Sequence, residues 1–366
     1  MNPNPHAVKH GSGPGKSESE APRLVAWEIT RNCNLDCVHC RAAATRGPYT
    51  GELDTEAAFR LVDEIALLGN PIVILTGGEP LLRKDIFDVA SYGTRKGLRM
   101  VMAPNGTLIT ELLAKRIADA GIKRISISLD GATQEKHDRF RGVEGAFEGA
   151  LQGIRLASDA GVEFQINTTI TKTNLDEIPR IQDLAIELGA VAHHIFLLVP
   201  TGRGKYIADQ EISADEYEKT LHWFYDQRSK TSLQLKATCA PHYYRILRQR
   251  AKEEGISVDF KTHGLDAVTR GCLGGVGFCF ISHQGLVQPC GFLHLDCGNI
   301  LKAPFHEIWK NSDIFLTLRD YSRLKGKCGI CEYRKVCGGC RARAYEATGD
   351  YLEEEPLCTH RPRRSE

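Results

Sequence analysis

The chain has 366 residues, room for two or three domains at about 150 residues each. With 42% hydrophobic and 25% charged residues it reads as an ordinary globular protein, which excludes a disordered or collagen-like chain. Lys plus Arg is 47 and Asp plus Glu is 46, a net charge of +1 that gives no electrostatic reason to expect nucleic acid.

Residues 1–20 are rich in Pro, Gly, Ser and charge and read as a flexible leader. They hold no apolar stretch of the kind a secretory signal has, and no later run approaches the roughly 20 apolar residues of a membrane span. The expected location is therefore the cytoplasm. A cytoplasmic chain with thirteen cysteines, an odd number, uses them for metal or redox chemistry more readily than for disulfides.

From residue 21 to 210 short apolar runs alternate with amphipathic ones. Strands are expected at Leu24–Ile29, Ile72–Leu75, Leu98–Met102, Arg124–Leu129, Val162–Ile170 and Ala192–Val199. Helices are expected near Thr55–Leu68, Ile86–Lys96, Glu111–Ala120, Gly145–Ala160 and Asn174–Leu188. Asp54 and Thr110 stand where helix N-caps belong, and glycines 69, 97, 121, 161 and 189 stand just past helix ends. Six strands separated by five helices predict an α/β fold with a parallel sheet, too short for a closed eight-stranded barrel and so an open, partial one. Residues 211–265 read as a helical connector. Residues 266–366 form a small cysteine-rich domain with too little apolar surface to hold together without metal or cross-links.

Directly after the first predicted strand comes Cys33-Asn-Leu-Asp-Cys37-Val-His-Cys40. Three thiols would leave one iron of a four-iron cluster open, as a catalytic centre needs. A zinc knuckle or plain buried thiols would be the bland alternative. This spacing resembles that of the radical S-adenosylmethionine (SAM) enzymes, and the resemblance implies a partial (β/α)6 barrel of the TIM type. It implies that Cys33, Cys37 and Cys40 hold a [4Fe-4S] cluster whose open iron chelates SAM. It also implies that one electron splits SAM into methionine and a 5′-deoxyadenosyl radical; no catalytic side chain is assigned beyond the cluster and SAM.

Other positions match the same family. Thr76-Gly77-Gly78-Glu79-Pro80 follows the second strand and matches the motif that meets the SAM amino group; glycines allow close backbone approach and a carboxylate suits an ammonium. Asn105 is implied to reach SAM, although Asn105-Gly106 reads equally as a plain turn. Ser128, in Ser126-Ile-Ser128-Leu-Asp130-Gly131, resembles the ribose or carboxylate contact. Arg141, in His137-Asp-Arg-Phe-Arg141-Gly, resembles the arginine that pairs with the SAM carboxylate, its alternative being a solvated arginine at a helix start. His39 and Leu197 are implied to lie against adenine, Leu197 reading as well as a core residue.

Cys328-x2-Cys331-x5-Cys337-x2-Cys340, preceded by Gly285-x4-Cys290, resembles the SPASM extension of many radical SAM enzymes. The resemblance implies one or two auxiliary [4Fe-4S] clusters, the first on Cys272, Cys279, Cys290 and Cys340, the second on Cys328, Cys331, Cys337 and Cys358. The family commonly has three residues between the last two cysteines of the quartet, where this chain has two, so Cys340 is the least secure ligand. A pair of zinc ribbons is the rival reading. Cys239 and Cys297 are left over as free or buried thiols.

The segment Lys236-Ala-Thr-Cys239-Ala-Pro-His242-Tyr-Tyr-Arg245 and the run Leu197-Leu-Val-Pro-Thr-Gly-Arg-Gly204 resemble the tetrapyrrole-modifying radical SAM enzymes of the sirohaem-dependent heme pathway. The substrate implied is Fe-coproporphyrin III. The radical would take a hydrogen from a propionate β-carbon; carbon dioxide and one electron would leave, and a vinyl group would remain, twice over, to give heme b. Arg203, Lys205, Lys236 and Arg245 are candidate propionate partners, His193, His194 and His242 candidate iron ligands, and Tyr243 and Tyr244 candidate packing against the macrocycle. A small donor such as ferredoxin or flavodoxin is the expected electron source. Two alternatives stay open: another SPASM enzyme, acting on a peptide, a sulfatase or a sirohaem derivative, and a non-catalytic iron–sulfur carrier.

Overall fold

The computed structural model describes residues 21–363; the expected leader at 1–20 lies outside the described residues. Strand β1 (Leu24–Thr30) is followed by β2 (Ile72–Gly77), β3 (Arg99–Met102), β4 (Arg124–Ser128), β5 (Glu163–Ile170) and β6 (Ala192–Leu197). All pair in parallel and in sequence order, joined by crossovers that contain α1 (Thr55–Leu67), α2 (Ile86–Arg95), α3 (Glu111–Asp119), α4 (Gln134–Arg141), α5 (Ala146–Asp159) and α6 (Ile178–Glu187). Asp54 caps α1 by accepting from Ala57 N at 2.8 Å, and Thr110 caps α3 by accepting from Leu113 N at 3.3 Å. Helix α4 was not expected from the pattern: mostly charged, it shows little apolar periodicity.

The register explains the two faces of the sheet. Trp27, Leu75, Met102 and Ile125 lie side by side across β1–β4, and all are fully buried. They pack with Leu61, Ile65, Val89 and Ile117 of the helices in one continuous core. Each such side chain contributes about 1.5–3 kcal/mol by burial. The opposite face carries Ser128, Asn167, His194 and Lys236 in a single row across β4, β5, β6 and β7.

Strand β7 (Gln234–Thr238) corrects the reading of residues 211–265 as helical: it pairs in parallel with β6, between α7 (Ala214–Gln227) and α8 (His242–Glu253). The cysteine-rich segment also joins the sheet. Strand β8 (Phe278–Ile281) pairs in parallel with β1, and β9 (Leu286–Gln288) and β10 (Gly298–Asn299) continue antiparallel. The ten strands run β10-β9-β8-β1-β2-β3-β4-β5-β6-β7, with β7 and β10 at unpaired edges, so the barrel is open as expected.

Candidate active site

The loop after β1 carries the first three cysteines, at the strand ends where parallel sheets collect ligands. Cys33 and Cys37 are buried and Cys40 partly so. Distant parts of the chain tie this loop down. Cys33 N donates to Thr45 O at 3.0 Å, and Asp36 N and Val38 N donate to Arg141 O and Phe140 O at 3.1 and 3.0 Å. The thiols themselves receive donors: Leu35 N lies 3.5 Å from Cys33 Sγ, Ala44 N 3.4 Å from Cys40 Sγ and Arg141 Nη1 3.6 Å from Cys37 Sγ. Such hydrogen bonds to sulfur are among the levers that tune iron–sulfur centres. Burial pushes the Cys33 thiol up to about 12 and raises Cys37 as well. The metal-free Cys33 and Cys37 thiols are therefore protonated at neutral pH, and metal binding there must release protons.

A single ion and a four-iron cluster ask for different thiol spacings. Zinc with sulfur ligands at about 2.3 Å would draw those sulfurs to within roughly 4 Å of one another. Among the described residues, the only three His, Cys, Asp or Glu ligand atoms all within 4.8 Å are those of Cys331, Glu332 and His360. No group of three cysteines among the described residues is that tight.

Glycines bring the second motif against the loop. A Cβ on Gly77 would lie 2.2 Å from Thr30 O, and one on Gly78 would lie 2.3 Å from Asn32 O and 2.6 Å from Arg31 O. Gly78 N and Glu79 N donate to Thr30 O and Asn32 O at 2.8 and 2.7 Å. Glu79 is fully buried; its Oε2 accepts from Asn105 N at 2.6 Å and its Oε1 from Leu81 N at 3.0 Å, while burial pushes its pKa up to about 7. Asn105 in turn donates from Nδ2 to Asn34 Oδ1 at 2.8 Å and accepts from Thr107 N at 2.9 Å. Asn34 lies inside the cysteine loop, so β2, β3 and the loop form one hydrogen-bonded unit.

Arg141 ends α4 rather than starting a helix, and it is buried. It forms a buried ion pair with Asp130, whose Oδ1 also accepts from Thr169 N at 2.7 Å. Its Nε has no partner among the described residues. The guanidinium thus keeps one free donor beside Cys37. Asp130 was passed over in the sequence, where nothing shows that α4 folds back eleven residues on. His39 lies 4.4 Å from the Phe140 ring, its Nδ1 unpartnered, and burial holds it well below the usual imidazole range. Ser128 is half-buried at the end of β4, and Leu197 is 2% exposed at the end of β6.

Most of the candidate substrate residues are placed elsewhere. Arg203 grips the cysteine loop, donating from Nε to Cys37 O at 2.8 Å and from Nη1 to Ala44 O at 2.7 Å, with Asp36 at 3.1 Å. Lys205 is surface-exposed and pairs with Glu346 at 3.1 Å. Arg245 pairs with Glu218 at 2.5 Å and, with His242, lines a cavity shared with Cys328, Cys331, Cys337 and Cys358. Tyr243 and Tyr244 are core residues, Tyr243 packing edge-on against Phe224. His193 faces the core, 3.0 Å from Thr168 Oγ1, on the opposite side of β6 from His194. His242 to Arg245 lie where they do because α8 packs its first turn against α7, with His242 4.7 Å from the Tyr217 ring and Arg245 on Glu218. Lys236 and His194 alone stay on the inner face in the Ser128 row. His194 Nδ1 is 3.0 Å from Gln165 Nε2, and Lys236 makes no hydrogen bond or ion pair among the described residues.

The four expected thiols of the second auxiliary set, Cys328, Cys331, Cys337 and Cys358, do converge on the one cavity. Cys328 Sγ receives Glu355 N at 3.4 Å and Arg341 Nη2 at 3.5 Å, and Cys337 Sγ receives Gly339 N at 3.5 Å. The shortened spacing before Cys340 is accommodated by Gly338 and Gly339, both left-handed (φ 76° and 63°). A Cβ on Gly339 would lie 3.0 Å from Cys328 Sγ. Cys340 thereby turns away from that cavity and packs beside Leu293, Val199 and Cys290. Cys279 does not join its expected set: it is fully buried in the main core, in register with Val25.

Residues 27–185 match the family model for the radical SAM superfamily, and residues 272–341 match that for an iron–sulfur cluster-binding domain, SPASM. An AdoMet-dependent heme synthase of Nitratidesulfovibrio vulgaris is 57% identical over 359 residues, 98% of each chain. One from Methanosarcina barkeri is 58% identical over 344 residues, 94% of this chain and 98% of that one. The crystal structure of Streptococcus suis SuiB bound to S-adenosylmethionine shares the fold, with a TM-score of 0.73 at 16% identity over 93% of this chain and 78% of that one.

Proposed function

From a chain that belongs to the AdoMet-dependent heme synthases of the radical SAM superfamily, we propose an oxidative decarboxylase that converts two propionates of Fe-coproporphyrin III to vinyl groups, giving heme b. The observation that carries this reading is the three-cysteine loop locked to the Gly77-Gly78-Glu79 turn, in a chain similar over nearly its whole length to heme synthases. Cys33, Cys37 and Cys40 would hold the [4Fe-4S] cluster, and that cluster with SAM supplies the 5′-deoxyadenosyl radical when bound. Gly77 and Gly78 let the backbone lie flat against the loop, so that SAM has a rigid wall. Arg141, with its Nε free, would take the SAM carboxylate, and His39 and Leu197 would bound the adenine. Ser128 and Asn105 would stand along its ribose and methionine portions.

Lys236 on the inner row would pair with a propionate of the substrate, and His194 beside it is the residue we propose as an iron ligand. The row starts at Ser128, which would set the propionate β-carbon next to the cleaved SAM. Loss of carbon dioxide from the substrate radical also releases one electron, and the C-terminal cysteines would hold the centre that accepts it. The open barrel excludes water from the radical once filled. We place the protein in the cytoplasm, where thirteen free thiols persist, with a ferredoxin or flavodoxin as donor. No described helix is long and apolar enough to cross a membrane.

Anaerobic incubation with Fe-coproporphyrin III, SAM and a reductant tests the reading. Mass spectrometry should show loss of two carboxyl groups with matching 5′-deoxyadenosine. Release of 5′-deoxyadenosine with no change to the porphyrin, and turnover of a cysteine- or serine-containing peptide instead, would assign the chain to another SPASM reaction.

A further inference from the structure

We infer that Cys239, together with Cys272, Cys290 and Cys340, completes the first auxiliary cluster site, and that Cys279 is a core residue that ligates no metal. The inference rests on the SPASM reading of the C-terminal segment.

Strand geometry separates Cys279 from Cys290. Side chains alternate along a strand, so Cys279 and Phe280 point to opposite faces of β8. Phe280 carries the Arg41 guanidinium 4.3 Å over its ring, and a Cβ on Gly291 would lie 3.2 Å from Phe280 Cδ2 and 3.1 Å from Arg41 Nε. Cys290–Gly291 therefore lies on the Phe280 face. Cys279 looks the other way, into the core with Val25 and Trp309.

Cys239 stands where Cys279 is missing. It packs in one apolar cluster with Cys290, Cys340 and Leu293. Two residues on, Pro241 meets the chain before Cys272: a Cβ on Gly271 would lie 2.5 Å from Pro241 Cβ and 2.7 Å from Cys337 O. Cys272 N donates to Cys337 O at 3.2 Å, so residues 239–241, 271–272 and 337–340 form one packed junction.

The backbone at Cys239 supplies an independent sign. Its φ is +56°, one of two non-glycine residues in the left-handed region among those described. Such a conformation costs on the order of 1–3 kcal/mol and persists where the surroundings impose it. They do so here: Tyr217 Oη and Arg343 Nη1 both donate to Cys239 O, at 3.0 and 3.3 Å.

The test uses the full chain with Cys33, Cys37 and Cys40 replaced by Ala, so that only auxiliary centres take up iron on anaerobic reconstitution. Cys239→Gly suits the positive φ, and Cys279→Val suits the apolar core, so neither is expected to unfold the protein. Cys239→Gly should lose about half of the iron and sulfide of this background, one of two four-iron centres. Cys279→Val should lose none. Cys239→Ser should keep the iron with a changed electron paramagnetic resonance spectrum, because oxygen replaces sulfur on one iron. Full iron and an unchanged spectrum in the Cys239 variants, or loss of a centre in Cys279→Val, would overturn the ligand assignment while leaving the SPASM reading standing. A background chain that takes up no iron at all would sink both.

Discussion

Arg203 and Cys37 are 166 positions apart in sequence, yet the Arg203 Nε donates to the Cys37 carbonyl at 2.8 Å. The same guanidinium reaches Ala44 O at 2.7 Å, so one side chain from the segment after β6 spans both sides of the cysteine loop. Removing it should free the loop without touching any thiol. Arg203→Ala is expected to bind iron at Cys33, Cys37 and Cys40 but to lose it several-fold faster under air. Arg203→Lys should recover little, because a single ammonium cannot reproduce the planar two-pronged contact. Following the decay of visible iron–sulfur absorbance checks this, and equal decay in all three proteins would return Arg203 to the pool of candidate propionate partners.

Gly78 sits against backbone atoms that cannot rotate away, 2.3 Å and 2.6 Å from where its Cβ would be. Gly78→Ala must therefore push residues 31–33 outward and carry Cys33 with them. A displacement near 1 Å at a reacting centre costs on the order of 100-fold in rate. We expect SAM cleavage to fall by about that factor, while binding of Fe-coproporphyrin III at the inner row changes little. Normal cleavage by Gly78→Ala would mean that the turn has room to spare.

Glu79 gives a pH signature to the metal-free chain. Burial raises its pKa from 4.5 to about 7. A raised folded pKa favours folding at low pH, so this contribution is present below about 4.5 and is lost as pH rises to about 7, by roughly 3 kcal/mol at most. The buried His193 and His242, pushed down to about 4, act with the opposite sign and stabilise as pH rises toward 6.5. Comparison with Glu79→Gln isolates the carboxyl. The Gln variant will carry a constant penalty, because its amide faces the Asn105 N–H, but the gap between the two melting temperatures should narrow from pH 5 to pH 7. A gap that stays constant over that interval would show that Glu79 does not titrate there.

What could be read from the sequence was what is local. The Cys33–Cys40 loop, the Gly77-Gly78-Glu79 turn and the caps Asp54 and Thr110 are contained in a few consecutive residues, and the structure builds each of them at a strand or helix end. What escaped was what tertiary packing decides. Strand β7 is five residues with a lysine at its centre, and only its place beside β6 makes it a strand. Asp130 meets Arg141 because α4 folds back over the end of β4. Arg245 and His242 looked like ligand contacts because they are polar near a motif, yet α8 turns them toward the cavity of Cys328 and Cys358. Cys239 was left over because eight other cysteines filled the two expected sets, and only the fold packs it beside Cys290 and Cys340.

Lys236 is the candidate substrate cation that the fold leaves free on the inner face. It shares a row with Ser128, Asn167 and His194, and burial lowers its pKa against the opposing negative charge of Asp266. A propionate would supply a hydrogen-bonded anionic partner; a charged hydrogen bond of this kind is worth about 1.5–3 kcal/mol, or roughly 10- to 150-fold in affinity. Lys236→Met keeps the length and the packing and removes the charge. We expect Fe-coproporphyrin III to bind at least ten times more weakly in a Soret titration, while iron content and slow substrate-free cleavage of SAM stay at the parent level. Lys205→Ala, at an exposed pair with Glu346, should leave the titration unchanged. If the two variants behave alike, the propionate is held by some other group, and the inner row of β4–β7 is not where the porphyrin lies.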